Sequence, residues 1–290
     1  MLTCHSLFSG SSGNSIYIKT EYGRFLIDAG GSMRRISEAL RLFDDSPSEL
    51  SAIFITHEHG DHTKALGQLC KRTAVPIYAT EPVARAIYDQ LLPRPDEARA
   101  FAESVLTIRP DSRYEICGLE VEPFSTPHDS VGSVGFVFGE GASEKLLGVA
   151  TDIGCITQTI RSSLYGCRAV VIESNHDIDM LKSGSYPQFL KERILSDHGH
   201  LSNVECAKLC TELVAGGTDK ITLFHLSDEN NTPEKAYRST SSALKAFCAA
   251  ESDGISLNIA SRYAATDILS ANNTLQNFSF TSGHINNKLR

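Results

Sequence analysis

The 290-residue sequence has no apolar run of the length, about 18 residues, that a membrane-spanning helix requires. Its first residues lack the basic and then apolar stretches that mark a secretory signal peptide. It also has no basic excess, because 27 Lys and Arg stand against 35 Asp and Glu, which gives a net charge of −8. These absences predict a cytoplasmic protein with no membrane partner. The acidic charge argues against indiscriminate nucleic-acid binding but is compatible with a local basic groove.

The eight cysteines lack the CxxC spacing that is typical of a cysteine-type zinc site. Cys206 and Cys210 are one helical turn apart, as two residues on one helix face would be. This pattern favours reduced thiols in the core or on helix faces over disulfides. The composition, 41% hydrophobic and 21% charged residues, is typical of a globular protein with a sizeable core.

Short apolar segments between polar or glycine-containing stretches predict β-strands at 3–7, 15–20, 24–27, 52–55, 119–124, 133–138, 145–150, 169–172, 221–224 and 255–259. Helical spacing predicts helices at 32–42, 63–70, 82–92, 204–213 and 233–249. Strands come in runs and helices are interleaved later, which indicates a layered α/β domain with mixed sheets. We expect this domain to span residues 1–265 and a polar, Asn-rich tail or appendage to span 266–290.

A dense group of metal-binding residue types follows one predicted strand. The segment IFITHEHGDH contains His57, His59, Asp61 and His62 within six residues. In an extended chain the first two histidines point to the same side, and the other two residues begin the next turn. Imidazole and carboxylate groups are suited to Zn, Mn or Fe. A solvated polar loop is the alternative, but the density of ligands favours a metal site.

Three further polar residues, His128, Asp152 and His225, also follow predicted strands. Each alone is typical of a strand-end cap. Together with the first group they lie just past the carboxyl ends of strands, where α/β sheets place their active sites. The resulting five His and two Asp are about the number of protein ligands that two metals sharing one bridging carboxylate require.

With these residues in place, the sequence resembles the metallo-β-lactamase superfamily, from residue 1 to about residue 265. The resemblance implies a four-layer αββα sandwich, in which two mixed β-sheets pack face to face with helices outside. It also implies two divalent metal ions, Zn, Mn or Fe. The resemblance implies that His57, His59 and His128 hold the first metal. It implies that Asp61, His62 and His225 hold the second, and that Asp152 bridges both.

Four shorter motifs make the resemblance more specific. They are SGSSGNS near the start, ESNHD at 173–177, GHLSN at 199–203 and HLSDENN at 225–231, which together resemble the YycJ-like group of phosphodiesterases and exonucleases. Other branches fit less well. Asp152 in place of Cys disfavours a true β-lactamase, and His59 in place of Glu disfavours a flavodiiron protein. The spacing from Asp152 to His225 leaves no room for the inserted domain of the β-CASP nucleases.

The resemblance implies a binuclear-metal hydrolase of phosphodiester bonds, with a metal-bridging hydroxide as the nucleophile. The leading interpretation is a nuclease, 5′-to-3′ exonuclease-like, acting on DNA or RNA. Asp61 and Asp152 act through the metals, and His200 of GHLSN contacts the phosphate or protonates the leaving oxygen. The alternative for His200 is a surface residue at a helix start.

Other functions stay open at this point. A small-molecule phosphodiesterase that opens cyclic phosphates fits the acidic charge, and a glyoxalase II-type thioesterase uses nearly the same ligands. A non-enzymatic metal-binding partner is disfavoured, because four ligands normally close a structural metal site without a bridging carboxylate. The sequence indicates no obligate protein partner and is compatible with a homo-oligomer.

Several polar residues are candidates for contacts with a nucleic acid or another phosphodiester: Ser11, Ser12, Asn14, His176, Asn230 and Asn231. Gly10 and Gly13 permit a loop that turns backbone N–H groups toward an anion; the alternative is a plain hairpin turn with Asn14 at positive φ. His176 fits a partner of a metal ligand, a substrate contact or a surface residue equally well. Asn230 and Asn231 are candidates to bond a phosphate or to orient the loop near His225, and a simple turn is the alternative. Candidates for phosphate-backbone contacts are Arg34, Arg35, Lys64, Lys71, Arg72, Lys182, Lys191 and Arg193.

Overall fold

The computed structural model describes residues 2–140, 144–247 and 254–270. Its strands form two seven-stranded sheets. The first sheet consists of β1 (Thr3–Phe8), β2 (Ser15–Lys19), β3 (Arg24–Ile27), β4 (Ala52–Phe54), β5 (Ile77–Thr80), β6 (Val105–Ile108) and β14 (Thr266–Leu269). The second consists of β7 (Tyr114–Ile116), β8 (Leu119–Ser125), β9 (Val134–Gly139), β10 (Lys145–Ala150), β11 (Ala169–Glu173), β12 (Lys220–Phe224) and β13 (Ser256–Ile259).

Both sheets have the same plan, an antiparallel half followed by a parallel half. The first has the order β14-β1-β2-β3-β4-β5-β6, and its pairs become parallel from β3 onward. The second has the order β13-β12-β11-β10-β9-β8-β7, and the pairs between β10 and β13 are parallel. Within each parallel half, the carboxyl ends of the strands meet at one edge, where loops carry binding residues.

The helices are α1 (Met33–Leu40), α2 (Gly60–Thr63), α3 (Leu66–Thr73), α4 (Glu81–Leu91), α5 (Pro95–Ser104), α6 (Gln158–Leu164), α7 (Ile178–Ser183), α8 (Gln188–Leu195), α9 (Asn203–Ala215) and α10 (Pro233–Phe247). Short 3₁₀ turns follow α1 at Arg41–Phe43 and Pro47–Glu49. Apolar faces of α1, α3, α4 and α5 pack on the outer side of the first sheet, and those of α6, α9 and α10 pack on the second. Within the described ranges, no helix combines the length and apolar character needed to cross a membrane.

Alternation along the strands builds the layers. In β3, Phe25 and Ile27 face the core between the sheets, whereas Leu26 faces the helices outside. Across the inner core, the Phe54 ring lies 5.7 Å from that of Phe136 and 5.5 Å from that of Phe138, between ring centroids. Helices therefore cover both outer faces of two packed sheets, and the predicted αββα sandwich is confirmed.

The structure corrects several predicted boundaries. The predicted helix at 32–42 ends at Leu40, while Ser32 is its N-cap and accepts a hydrogen bond from the backbone N–H of Arg35. The predicted helix at 63–70 consists of parts of α2 and α3, separated by a break around Ala65. Strand β14 pairs with β1, so the first sheet continues past residue 265, where we expected the domain to end. The rest of the predicted tail, 271–290, lies outside the described residues.

A buried carboxylate joins β2 and β3 to the turns after α1. Asp45 Oδ2 accepts hydrogen bonds from the Tyr17 hydroxyl and from Lys19 Nζ, each at 2.6 Å, and Arg24 pairs with Oδ1. The Asp45 side chain is 2% exposed. Burial alone would raise the pKa of Asp45, but the three hydrogen bonds outweigh it and lower this pKa below its usual value.

Replacing Asp45 with Asn should lower the free energy of unfolding by about 2 kcal/mol near neutral pH, because partly exposed Lys19 and Arg24 lose a buried carboxylate. The folded-state pKa of Asp45 lies below the unfolded value of about 3.9, so the stabilisation is complete above that value and is lost as pH falls through the folded pKa. Urea unfolding of both proteins at neutral pH and at about pH 3 tests this. An equal difference at both pH values would contradict it.

Candidate active site

The seven predicted ligands converge at the carboxyl ends of strands from both sheets. The segment after β4 carries four of them, and one each follows β8, β10 and β12. Asp152 and His225 have φ of 53° and 54°, in the left-handed region that residues other than glycine seldom adopt. Such strained turns cluster at functional sites. The converging residues are His57, His59, Asp61, His62, His128, Asp152 and His225.

The first group consists of His57, His59 and His128, whose ligand atoms all lie within 4.8 Å of one another. His59 Nδ1 and His128 Nε2 are 3.3 Å apart. Two nitrogens that bind one tetrahedral zinc at about 2.0–2.1 Å are separated by about 3.3–3.4 Å. His57 Nε2 is buried and has no hydrogen-bond partner among the described residues. This donor set fits a divalent cation.

The second group consists of Asp61, His62 and His225, with Asp152 beside it. His62 Nε2 lies 3.2 Å from Asp152 Oδ2 and 3.6 Å from Asp61 Oδ2, which is 3.4 Å from His225 Nε2. Asp152 also forms a cluster with His62 and with His57 of the first group, in which the ligand atoms lie within 4.8 Å of one another. We call a cluster with this spacing metal-sized. It therefore lies between the two groups, where a shared carboxylate would be.

Hydrogen bonds fix the orientation of the imidazole rings. Each carboxylate or carbonyl oxygen can only accept, so its histidine partner must carry the proton on Nδ1. This applies to His62 with Asp28 at 2.7 Å, to His128 with the Gly199 carbonyl at 3.1 Å, and to His225 with Glu173 at 3.1 Å. In a neutral ring Nε2 is then free to bind a metal.

His57 is oriented by a hydroxyl rather than by a carboxylate. Its Nδ1 lies 2.9 Å from Thr56 Oγ1, which donates its single hydrogen to Asp28 Oδ2 at 2.8 Å. The hydroxyl oxygen must therefore accept from His57 Nδ1–H, which leaves Nε2 as an unprotonated atom facing the first group. Thr56 therefore fixes the orientation of the His57 ring.

The surroundings of the predicted ligands keep one histidine neutral and favour a positive charge at another. Burial lowers the pKa of His57 well below its usual value, so the ring is neutral, as a metal ligand must be. Burial also opposes protonation of His225, but Asp152, Asp61 and Glu173 outweigh it and raise the pKa of His225 to about 10. The same carboxylates that stabilise a proton there would stabilise a metal cation.

Asp28 has a role that its sequence context does not reveal, although it follows β3 as the other site residues follow their strands. The buried carboxylate accepts hydrogen bonds from Thr56 N at 2.9 Å, from Thr56 Oγ1 and from His62 Nδ1. Its neighbour Gly30 is constrained for a related reason, because a Cβ there would lie 1.6 Å from the Asp61 carbonyl oxygen. The loop after β3 therefore positions the loop that carries Asp61 and His62.

Glu173 is the second residue whose role the sequence analysis missed, although it opens the ESNHD motif. Its Oε1 lies 2.7 Å from His200 Nδ1 and 3.1 Å from His225 Nδ1, and Oε2 accepts from the backbone N–H of Ile153 and Leu201. Burial opposes its ionisation, but His200 and His225 outweigh burial and hold the pKa of Glu173 at about 2. One carboxylate thus orients both a predicted metal ligand and the predicted acid.

His200 lies outside the seven predicted ligands but within one further group that could hold a metal, with Asp152, Glu173 and His225; its Nδ1 is taken by Glu173 at 2.7 Å. Its ring centroid is 5.2 Å from that of His128 and 5.4 Å from that of His225, and its side chain is 19% exposed. Burial would lower the pKa of His200, but Glu173 and Asp152 outweigh it and raise this pKa. Because Nδ1 is held by Glu173, Nε2 is the ring atom available to a substrate.

The Ser/Gly stretch forms the loop between β1 and β2 and braces the site. Asn14 is buried; its Nδ2 donates to Asp61 Oδ2 at 3.2 Å and lies 2.9 Å from His62 Nε2. The glycines at 10 and 13 have positive φ, and Asn14 does not, so a hairpin with Asn14 at positive φ is wrong. Ser11 and Ser12 are exposed on the same loop.

The remaining predicted contacts lie on the loops after β11 and β12. His176 is 1% exposed, which excludes a surface role, and burial lowers its pKa to about 4. Neither ring nitrogen of His176 has a hydrogen-bond partner within the described part of the chain. Asn231 uses Nδ2 on the carbonyls of Ser174 and Asn175, a structural role; Asn230 is buried with its Nδ2 unpaired among the described residues.

Comparison with known proteins shows the family of this chain and several related proteins. The family model of the beta-lactamase superfamily domain matches residues 23–226. The exodeoxyribonuclease YycJ of Bacillus anthracis is 34% identical over 239 residues, which cover 82% of this chain and 88% of the relative. The exodeoxyribonuclease WalJ of Streptococcus pneumoniae is 35% identical over 233 residues, which cover 80% of this chain and 84% of the relative.

Solved structures share the architecture at low sequence identity. Zn²⁺-bound PqqB from Methylobacterium extorquens superposes with a TM-score of 0.65 at 16% identity, and covers 92% of this chain and 100% of that one. The metallo-beta-lactamase fold protein YhfI from Bacillus subtilis has a TM-score of 0.62 at 15% identity, with coverage of 92% and 99%. At these identities the likeness concerns the fold alone.

Replacing Asp28 with Asn should weaken Zn²⁺ or Mn²⁺ binding about 10–100-fold, because His62 loses the carboxylate that fixes its Nδ1–H and orients its ring. Competition with a chromophoric chelator measures the affinity. Asp45→Asn is the matched control, since it removes a buried carboxylate at the β2–β3 junction and should leave metal affinity unchanged. Equal affinities for Asp28→Asn and the wild type would contradict the assigned role.

Proposed function

The chain belongs to the β-lactamase superfamily, within the group of YycJ and WalJ, and from this premise we propose that it is an exodeoxyribonuclease that acts at a DNA end. It is a metal-dependent hydrolase of phosphodiester bonds. The observation that most supports a nuclease is the position of His200 beside the predicted metal ligands. Glu173 orients it at 2.7 Å, beside the metal-sized clusters, with Nε2 available to a leaving oxygen.

We propose two cations, with Zn, Mn and Fe all suited to the donor set. His57, His59 and His128 would hold the first, and Asp61, His62 and His225 the second, with Asp152 shared. When bound, two such cations lower the pKa of a water molecule and neutralise charge on the phosphate oxygens. Their support is that the hydrogen-bond partners of four histidines place a proton on Nδ1, so that Nε2 is the atom left to bind a metal once each ring is neutral.

The chain's own groups complete the proposed reaction. His200 donates the proton that the leaving oxygen needs, and Glu173 stabilises the protonated ring before transfer. Asp28 and Thr56 keep His62 and His57 oriented. A DNA substrate agrees with the cytoplasmic location expected from the sequence, while the absence of an obligate protein partner and the compatibility with a homo-oligomer stay predictions.

A single assay on metal-loaded protein should separate the candidate substrates: a 5′-phosphorylated DNA duplex, single-stranded RNA, a bis-aryl phosphate and a thioester. We expect DNA cleavage from an end with the highest kcat/KM. Asp152→Ala should lose both metal and activity, because the carboxylate shared by the two groups is removed. Thioester hydrolysis without phosphodiester hydrolysis would overturn the proposal.

The role of His200 has its own test in the dependence on the leaving group. His200→Ala should lower kcat on DNA about 10²–10⁴-fold while retaining both metals, because only proton donation is removed. The loss should be much smaller on bis(p-nitrophenyl) phosphate, since p-nitrophenolate leaves without a proton. Loss of metal in His200→Ala, or equal losses on both substrates, would show that His200 is not the acid.

A further inference from the structure

The loop between β13 and β14 carries an exposed aromatic ring in contact with an arginine. Tyr263 is 78% exposed. The Arg35 guanidinium lies between it and the buried ring of Phe8, 5.9 Å from the Tyr263 centroid and 4.1 Å from that of Phe8. Phe8, Arg35 and Tyr263 thus form a stack that ends in a ring with a solvent-exposed face.

Hydrogen bonds hold the loop and the arginine of this stack in place. Ser261 Oγ accepts hydrogen bonds from the backbone N–H groups of Tyr263 at 3.3 Å and Ala264 at 3.2 Å, which shapes the loop. Arg35 also donates to the carbonyl of Arg262, which ties α1 to the same loop. The position of the exposed ring is therefore fixed from two sides.

The stack adjoins the candidate active site. Arg262 Nη2 donates to the carbonyl of Leu226, the residue after the predicted ligand His225, at 3.0 Å. Ser9, the neighbour of Phe8, accepts a hydrogen bond from the His225 backbone N–H at 2.8 Å. Gly10 makes room for Arg262, because a Cβ there would lie 3.1 Å from Nη1.

Two arginines lie at this rim of an otherwise acidic chain. Arg262 pairs with exposed Asp228 at 3.3 Å, whereas Arg35 has no carboxylate within salt-bridge distance among the described residues. Burial lowers the pKa of Arg35, Tyr263 opposes this, and the positive charge of Arg262 lowers it further. Two arginines beside an exposed ring are the combination that single-stranded nucleic acid selects, since arginines contact phosphates and aromatic rings stack on bases.

We infer that Tyr263 is a stacking platform for an unpaired nucleotide at a DNA end, with Arg262 and Arg35 contacting its backbone phosphate, so that the protein holds single-stranded DNA as it enters the metal centre. This inference rests on the proposed nuclease function and names its substrate class more narrowly. Ser11 and Ser12, exposed next to Gly10, lie on the same rim.

The first experiment uses DNA lacking single bases. Oligonucleotides with an abasic site at each position near the end are compared with the intact sequence by kcat/KM. The wild type should prefer a base over its absence about tenfold at one position, the strength of a single base–aromatic stack. Tyr263→Ala should lose this preference, whereas Tyr22→Ala should keep it. Tyr22 is a matched control because it is 65% exposed in the β2–β3 turn, at the end of β3 opposite to Asp28.

The second experiment measures binding directly. The chain has no tryptophan, so Tyr263→Trp and Tyr22→Trp each introduce a single tryptophan, which can be excited at wavelengths that the tyrosines do not absorb. Single-stranded DNA should quench the fluorescence of Tyr263→Trp by stacking and leave that of Tyr22→Trp unchanged. Arg262→Ala in the Tyr263→Trp background should raise the DNA concentration at half-quenching severalfold, more so at low salt than at high salt, because a phosphate contact is lost.

The outcomes separate the inference from the proposed function. Retention of the base preference by Tyr263→Ala, or equal quenching of the two tryptophan variants, would overturn the inference even if DNA is cleaved. Hydrolysis of neither DNA nor bis(p-nitrophenyl) phosphate by the wild type would overturn the proposed function. The fluorescence titration would then decide the inference alone, because it requires no turnover.

Discussion

Three carboxylates are buried where the two sheets meet, and the arrangement of the site follows from how their charges are compensated. Asp28, Asp152 and Glu173 are each at most 2% exposed, and an unpaired buried carboxylate is costly. Each is compensated by histidines: Asp28 by His62, Asp152 by His62 and His225, and Glu173 by His200 and His225. Assembly of the site therefore depends on the packing of the two sheets, because Asp152, which follows a strand of the second sheet, pairs with His62, which follows a strand of the first.

This compensation also determines what the histidines can do. The oxygen partners of His62, His128 and His225 require a proton on Nδ1, and Thr56 imposes the same on His57 through Asp28. Nε2 of each ring therefore faces the site in advance, and a binding cation takes the place of the proton that the carboxylates stabilise on His225 without turning the ring. Glu173 extends this principle to His200, so the geometry that creates the metal-sized clusters also presents a proton donor beside them.

Local pattern was enough to predict a layered α/β domain with mixed sheets and the clustering of the seven ligands, because apolar runs and the placement of residues at strand ends are local properties; the αββα sandwich was predicted from the family resemblance. The roles of Asp28 and Glu173 were not predictable in this way, since their partners His62 and His200 lie 34 and 27 residues away. Asn14 was predicted to contact substrate, but its bonds to the Asp61–His62 loop depend on packing that no single segment reveals. The same holds for Arg35 and the β13–β14 loop, which the fold joins across 227 residues.

The measurement that tests this account most directly is anomalous diffraction from crystals of the protein loaded with Mn²⁺ or Zn²⁺. We expect two metal peaks about 3.5–4 Å apart, one bound by His57 Nε2 and the other by His62 Nε2, with Asp152 contacting both. A single peak, or two peaks that do not share Asp152, would contradict a binuclear centre assembled by both sheets.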